Sequence, residues 1–156
     1  MGTTAAPAVG QMAPEFRLKG PGGQFVTLSE YRGKNPVVLV FYPLAFSPVC
    51  SHQLPMIQKE LGRFTAVGAV VLGVSVDSHW ANTAFAERLG LTFPLLSDWK
   101  HEASTAYNMM IESAGYSGRA LFLVDREGRI AYQDVAATTR EIPDLESLLG
   151  ALARLG

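Results

Sequence analysis

Residues 36–50 read Pro-Val-Val-Leu-Val-Phe-Tyr-Pro-Leu-Ala-Phe-Ser-Pro-Val-Cys. Positions 37–42 form an apolar run of β-branched and aromatic side chains, the composition of a buried strand. Pro43 ends the run, a short loop carries Ser47 and Pro48, and Cys50 enters the first turn of a following helical pattern. A thiol in that turn meets backbone N–H groups without helical partners and the positive end of the helix dipole, and both favour the thiolate. Free cysteines are also among the most buried residues, so a purely structural Cys50 is the competing reading. Its place on a strand-to-helix loop, rather than inside a strand, favours a reactive thiol.

Working outward, two short strands over 16–18 and 24–28 flank the turn Gly20-Pro-Gly-Gly23, a hairpin-like entry. Residues 29–33 read as a helical turn closed by Gly33. The helix carrying Cys50 should run to about Phe64, with Pro55 kinking it or breaking it after one turn because proline has no N–H. A second buried strand covers 70–76. Ser78 is a candidate N-cap for a helix over 80–89, and Gly90 is its stop. An extended segment at 93–98 precedes a helix over 102–107. Strands at 120–124 and 129–135 are joined by the turn Asp125-Arg-Glu-Gly128. A last helix starts near Pro143 and ends near Arg154. This order predicts an α/β chain of thioredoxin-like fold: a central mixed β-sheet flanked by helices, with its first core strands parallel and an added N-terminal β-hairpin. Residues 1–9 are expected to be a flexible tail and 10–156 a single domain.

Composition narrows the function classes. A net charge of −1, with lysines and arginines scattered, offers no electrostatic footprint for nucleic acid or a membrane surface. The longest apolar run, 37–46, falls short of the ~20 residues a helix needs to span a bilayer. Cys50 is the only cysteine in 156 residues, which excludes an internal disulfide framework and a cysteine-rich metal site. A reducing, cytoplasmic location fits that usage. His52 lies two positions from Cys50, so on a helix it points to a different face. His79 and His101 have no partners at ligand spacing. The expectation is an enzyme without metal or cofactor.

Pro43, Ser47 and Cys50 together spell Pro-x-x-x-Ser-x-x-Cys, and here the chain resembles the peroxiredoxins. Their signature is Pro-x-x-x-Thr/Ser-x-x-Cys after the first core strand of a thioredoxin-like fold. The resemblance continues in order through Gly10-Gln-Met-Ala-Pro-Glu-Phe16, Val74-Ser-Val-Asp77, Phe93-Pro-Leu-Leu-Ser-Asp98 and Arg119-Ala-Leu-Phe-Leu-Val-Asp125. The phrase Phe41-Tyr-Pro-Leu-Ala-Phe46 with a lone cysteine is most similar to one-cysteine alkyl hydroperoxide reductases of the E type.

The resemblance implies that Cys50 is a peroxidatic nucleophile that becomes a sulfenic acid. It also implies that Ser47 donates its hydroxyl to the thiolate and holds a peroxide oxygen, that Pro43 shapes the loop and shields the thiolate from water, and that the Val49 and Cys50 amides bind peroxide oxygens. Arg119 matches the family's arginine and is expected to favour thiolate and stabilise the departing oxygen. Arg126 and Arg129 flank a turn and read as solvated charges, and Arg140, in a polar loop, is a weaker candidate than Arg119 for the family's arginine. Gln53 stands where a glutamate often supports the arginine, and Pro55 where some relatives carry a resolving cysteine. An external thiol must then reduce the sulfenic acid: a low-molecular-weight thiol, thioredoxin or a glutaredoxin-like protein. The implied substrates are hydrogen peroxide and organic hydroperoxides, with peroxynitrite in the same class. A homodimer is expected, with Phe46 and Trp99 as interface candidates.

Ionisation alone does not make a fast peroxidase. An ordinary cysteine is about 3% thiolate at pH 7, so full ionisation gains roughly 30-fold. Falling nucleophilicity takes back roughly 10- to 20-fold of that. Donors that grip the stretched O–O bond must supply the rest. The rival from another class is a non-catalytic thioredoxin-like redox sensor or binding protein that forms mixed disulfides through Cys50. A thiol–disulfide oxidoreductase is disfavoured because no Cys-x-x-Cys pair exists.

Overall fold

The computed structural model describes residues 6–155. Its sheet is built outward from β3 (Val37–Phe41), the apolar run singled out above, every residue of which is buried. β3 pairs in parallel with β4 (Val70–Ser75) on one side and antiparallel with β8 (Ala120–Val124) on the other. β4 continues in parallel to β5 (Leu95–Ser97), and β8 continues antiparallel to β9 (Ile130–Val135). The hairpin β1 (Arg17–Lys19) and β2 (Phe25–Thr27) docks through Lys19 on Ser97 of β5. The seven-stranded order is β2-β1-β5-β4-β3-β8-β9, a mixed sheet of the expected kind.

Alternation along β3 divides the core into two layers, since successive side chains of a strand point to opposite faces. Val38 and Val40 join Leu54 and Ile57 of α1 (Pro48–Lys59), Phe64 of α2 (Leu61–Thr65), Phe85 of α3 (His79–Leu89), and Leu148 and Leu152 of α5 (Leu145–Leu155). Val37, Leu39 and Phe41 face the other way, onto Ala103 of α4 (Glu102–Ala106), Tyr107 and Phe122. There the Phe41, Tyr107 and Phe122 rings form a triangle with centroids 5.2–5.7 Å apart. The caps read from sequence form. The Ser78 hydroxyl accepts Ala81 N–H at 3.1 Å, and Gly90 ends α3 at φ 70°, a left-handed stop that suits glycine.

Three features differ from expectation. α1 passes through Pro55 without breaking, and the interruption falls at Glu60 (φ −97°, ψ 7°) before α2 begins. Pro55 forfeits one helical bond, and the burial of Leu54 and Ile57 on either side holds the helix together. A two-stranded ribbon, β6 (Met110–Ile111) and β7 (Tyr116–Ser117), is an addition. Its strands are too short to show an alternation in sequence. Contacts also begin before residue 10: Ala6 packs on the second layer, Pro7 is buried, and Ala8 O accepts Gln11 N–H at 3.0 Å. The remainder of the expected tail, residues 1–5, lies outside the described residues.

Candidate active site

β3 delivers the chain to Tyr42 and Pro43, both buried, and the loop then turns sharply. Phe46 takes φ 67°, a left-handed conformation uncommon for a bulky residue, and its ring settles 5.0 Å from Phe85. Ser47 is the N-cap of α1 and Pro48 its first residue, so Cys50 falls in the first turn, as the spacing implies. Proline suits that first position because its missing N–H would have had no helical partner. Ser51 is the first residue whose N–H closes a bond, to Ser47 O at 2.9 Å. The Val49 and Cys50 amides therefore belong to the set of helix-terminal donors that lack helical acceptors.

Arg119, immediately before β8, reaches this turn from the neighbouring strand. It is 1% exposed, and Cys50 is fully buried. Its Nη2 donates to Cys50 Sγ at 3.2 Å and to Thr139 O at 3.0 Å, its Nε donates to Thr139 O at 3.1 Å, and its Nη1 donates to Gln53 Oε1. None of these acceptors is a carboxylate. Among the described residues the ion pairs are those of Arg63. A buried guanidinium without an opposite charge is costly, and among its hydrogen-bond partners the sulfur of Cys50 is the ionisable one.

The site residues named from sequence are thus brought together unevenly. Cys50 and Arg119 are in contact, Pro43 is buried behind the loop, and the Val49 and Cys50 amides lie at the helix terminus. Ser47 is the exception: its hydroxyl donates to Leu44 O at 2.9 Å, not to the sulfur. The left-handed turn at Phe46 folds that carbonyl back over residue 47, and Ser47 N–H reaches the same oxygen at 3.4 Å. Gln53, read as a weakened support, holds the arginine directly and is 2% exposed. The Thr139 carbonyl was not foreseen, because a backbone acceptor in a loop leaves no mark on residue type. His52, Arg129 and Arg140 are exposed and Arg126 is part-exposed. Arg126 and Arg129 donate to Val67 O and Gly10 O, away from the sulfur.

A network behind the loop was also missed. The Tyr42 hydroxyl donates to Asn82 Oδ1 at 2.7 Å, and Asn82 Nδ2 donates to Ser75 Oγ at 3.1 Å. The Ser75 hydroxyl donates to Asp77 Oδ2 at 2.7 Å, an oxygen that also accepts Ala45 N–H at 2.7 Å. Burial above all pushes the Tyr42 phenol well above its usual range, with Asp77 and Cys50 adding to the effect against a lowering bond from Ser75. Tyr42 therefore stays a proton donor.

A buried thiol–guanidinium contact at a helix N-terminus is suited to a reaction in which sulfur attacks and a neighbouring oxygen gains charge. Comparison with known proteins agrees. Residues 9–133 match the AhpC/TSA family. The chain is 40% identical over 149 residues to alkyl hydroperoxide reductase E of Mycobacterium tuberculosis and of Mycobacterium bovis, covering 94% of this chain and 97% of each relative. Among solved structures it is similar to the reduced 2-Cys peroxiredoxin of Plasmodium vivax, with a TM-score of 0.85 and 29% identity over 93% of this chain and 80% of that one. It is also similar to Mycobacterium tuberculosis AhpC, with a TM-score of 0.84 and 27% identity over 96% and 93%. The chain therefore belongs to the AhpC/TSA family and is a peroxiredoxin, a thiol-dependent peroxidase with a single cysteine.

Proposed function

We propose that Cys50 is the nucleophile of this peroxidase and reduces hydrogen peroxide and organic hydroperoxides, peroxynitrite being an oxidant of the same class. The thiolate attacks one peroxide oxygen, the O–O bond breaks, and Cys50 becomes a sulfenic acid while an alkoxide or hydroxide departs and takes up a proton. Arg119 would carry the charge that grows on the departing oxygen, helped by the Val49 and Cys50 amides. Ser47 would enter only by turning its hydroxyl from Leu44 O. One external thiol then displaces water to give a mixed disulfide, and a second releases Cys50. The reductant is a low-molecular-weight thiol, thioredoxin or a glutaredoxin-like protein, and the setting is the cytoplasm.

One observation carries this reading: the 3.2 Å contact between Arg119 Nη2 and Cys50 Sγ, both buried, where the arginine has no carboxylate among its partners. Cys50→Ser should abolish peroxide consumption, as followed by stopped-flow mixing with hydrogen peroxide. Turnover at the wild-type rate in that variant defeats the assignment. A wild-type protein that reacts only as slowly as a free thiol is a redox sensor instead.

A homodimer is part of the same proposal. Trp80 and Trp99 are 74% and 66% exposed and, with Phe25, border a groove of about 890 Å³ that also carries Arg17, Lys19 and Lys100. Large exposed aromatics in one concave patch suit a protein surface. Phe46, 52% exposed, sits on the catalytic loop outside that groove. Trp99→Glu should shift the protein from dimer to monomer in sedimentation velocity, and an unchanged sedimentation coefficient counts against this face.

A further inference from the structure

The loop over residues 43–48 is tied at two points to the end of β4 and the start of α3. Its entry is held through Tyr42, whose hydroxyl reaches Asn82 at 2.7 Å. Its middle is held through Ala45 N–H on Asp77 Oδ2. Direction along the network is set from one end. Ser75 has a single hydroxyl proton, which goes to the acceptor-only carboxylate of Asp77. The Ser75 lone pairs then receive Asn82 Nδ2, which turns the Asn82 carbonyl oxygen toward Tyr42. Asn82 Nδ2 also donates to Leu96 O at 3.2 Å. Tyr42, Ser75 and Asn82 are fully buried and Asp77 is half-buried, so the anchor of the chain is its most accessible member.

The next residue after Ala45 is Phe46, with its left-handed backbone. A bulky residue persists there only where its surroundings over-determine it. The Asp77–Ala45 bond is charge-assisted and short, and it lies immediately before that residue. The peroxide step uses the closed loop, because the helix-terminal amides and Cys50 hang from it. The reductant step faces the opposite requirement, since Cys50 is fully buried and a bulky thiol needs the loop lifted much further than a small peroxide does.

We propose that Asp77 is a positioning residue for the peroxidase reaction: its carboxylate latches residues 43–48 closed over Cys50. It thereby sets the balance between the form that reacts with peroxide and the form that a bulky thiol can reach. The proposal rests on Cys50 being the nucleophile. Asp77 touches neither the sulfur nor its substrate and acts through the backbone of Ala45.

The test pairs Asp77→Ala with Asp77→Asn, which keeps a side-chain oxygen to accept Ala45 N–H. Single-turnover oxidation by hydrogen peroxide is measured by stopped flow. Separately, alkylation of reduced Cys50 is compared between iodoacetamide and a bulky maleimide. Asp77→Ala should slow oxidation by at least about tenfold, as displacement of a reacting group does, and raise the bulky-to-small alkylation ratio several-fold. Asp77→Asn should recover most of both. Oxidation within twofold of wild type in Asp77→Ala, slower oxidation with an unchanged ratio, or failure of asparagine to rescue each overturns the latch. Should Asp77→Ala not fold, hydrogen exchange in the wild-type protein decides. The Ala45 amide should exchange no faster than the bulky maleimide gains access. Free exchange at Ala45 while Cys50 stays shielded overturns the proposal. Alkylation and exchange do not require turnover, so they separate a failed latch from a failed peroxidase assignment, which Cys50→Ser reports.

Discussion

Arg63 and Arg119 are both held by several hydrogen bonds, yet they occupy opposite environments. Arg63 lies on the surface between α2 and α5 with its side chain 51% exposed, paired with Glu60 at 3.0 Å and Glu146 at 2.9 Å. Arg119 is 1% exposed and is met by a carbonyl, an amide oxygen and a sulfur. The surface arginine has two carboxylates in a medium where pairing is weak. The buried one has none where an uncompensated charge is expensive. Hydrogen bonding alike satisfies both groups, but only at Arg119 does a sulfur stand where a carboxylate would be expected.

The largest expected effect comes from removing the buried member. Arg119→Ala should lower the second-order rate with hydrogen peroxide by about 10²–10³, the usual loss for a donor aimed at developing oxygen charge. Iodoacetamide alkylation, which develops no such oxygen charge, should fall far less. Equal losses in the two reactions would mean that Arg119 acts on the thiolate alone. An intermediate effect follows from giving the buried arginine the carboxylate it lacks. Gln53→Glu places a carboxylate against Arg119, so alkylation of Cys50 at pH 7 should slow roughly threefold to tenfold through like-charge competition. Faster alkylation would show that the neutrality of Gln53 does not help to leave Arg119 to the sulfur. The smallest effect belongs to the surface. Arg63→Ala should move the melting temperature by less than about 2 °C and leave peroxide turnover unchanged. A drop of about 10 °C would mean that the α2–α5 tie matters far more than its exposure implies.

The parts of the site carried by residue type and spacing were readable. The valine-rich run ending at Pro43 and the helical pattern after Pro48 place Cys50 in a first turn without further help. The ordered resemblance then supplies Arg119. The unreadable parts depend on rotamer and backbone. Ser47 has the right chemistry at the right distance along the chain, but the left-handed Phe46 brings Leu44 O closer to its hydroxyl than the sulfur. Thr139 contributes a carbonyl that any residue could supply. Asp77 sat within a recognised stretch, Val74-Ser-Val-Asp77, yet its partner is the amide of Ala45, 32 residues earlier in the chain. Pro55 misled for a related reason. Propensity describes an isolated helix, whereas α1 is held by Leu54 and Ile57 against the sheet.

Pro55 has a mechanical consequence. By withholding an N–H from the carbonyl of Ser51, it leaves a seam in α1 just beyond the reactive turn. Unwinding that begins at Pro48 can run to this seam and stop, because residues past it keep their own ladder and their grip on the sheet. Any fraying of the first turn is thereby uncoupled from the remaining two turns, so the cost of loosening the chain around Cys50 does not include unwinding the whole of α1.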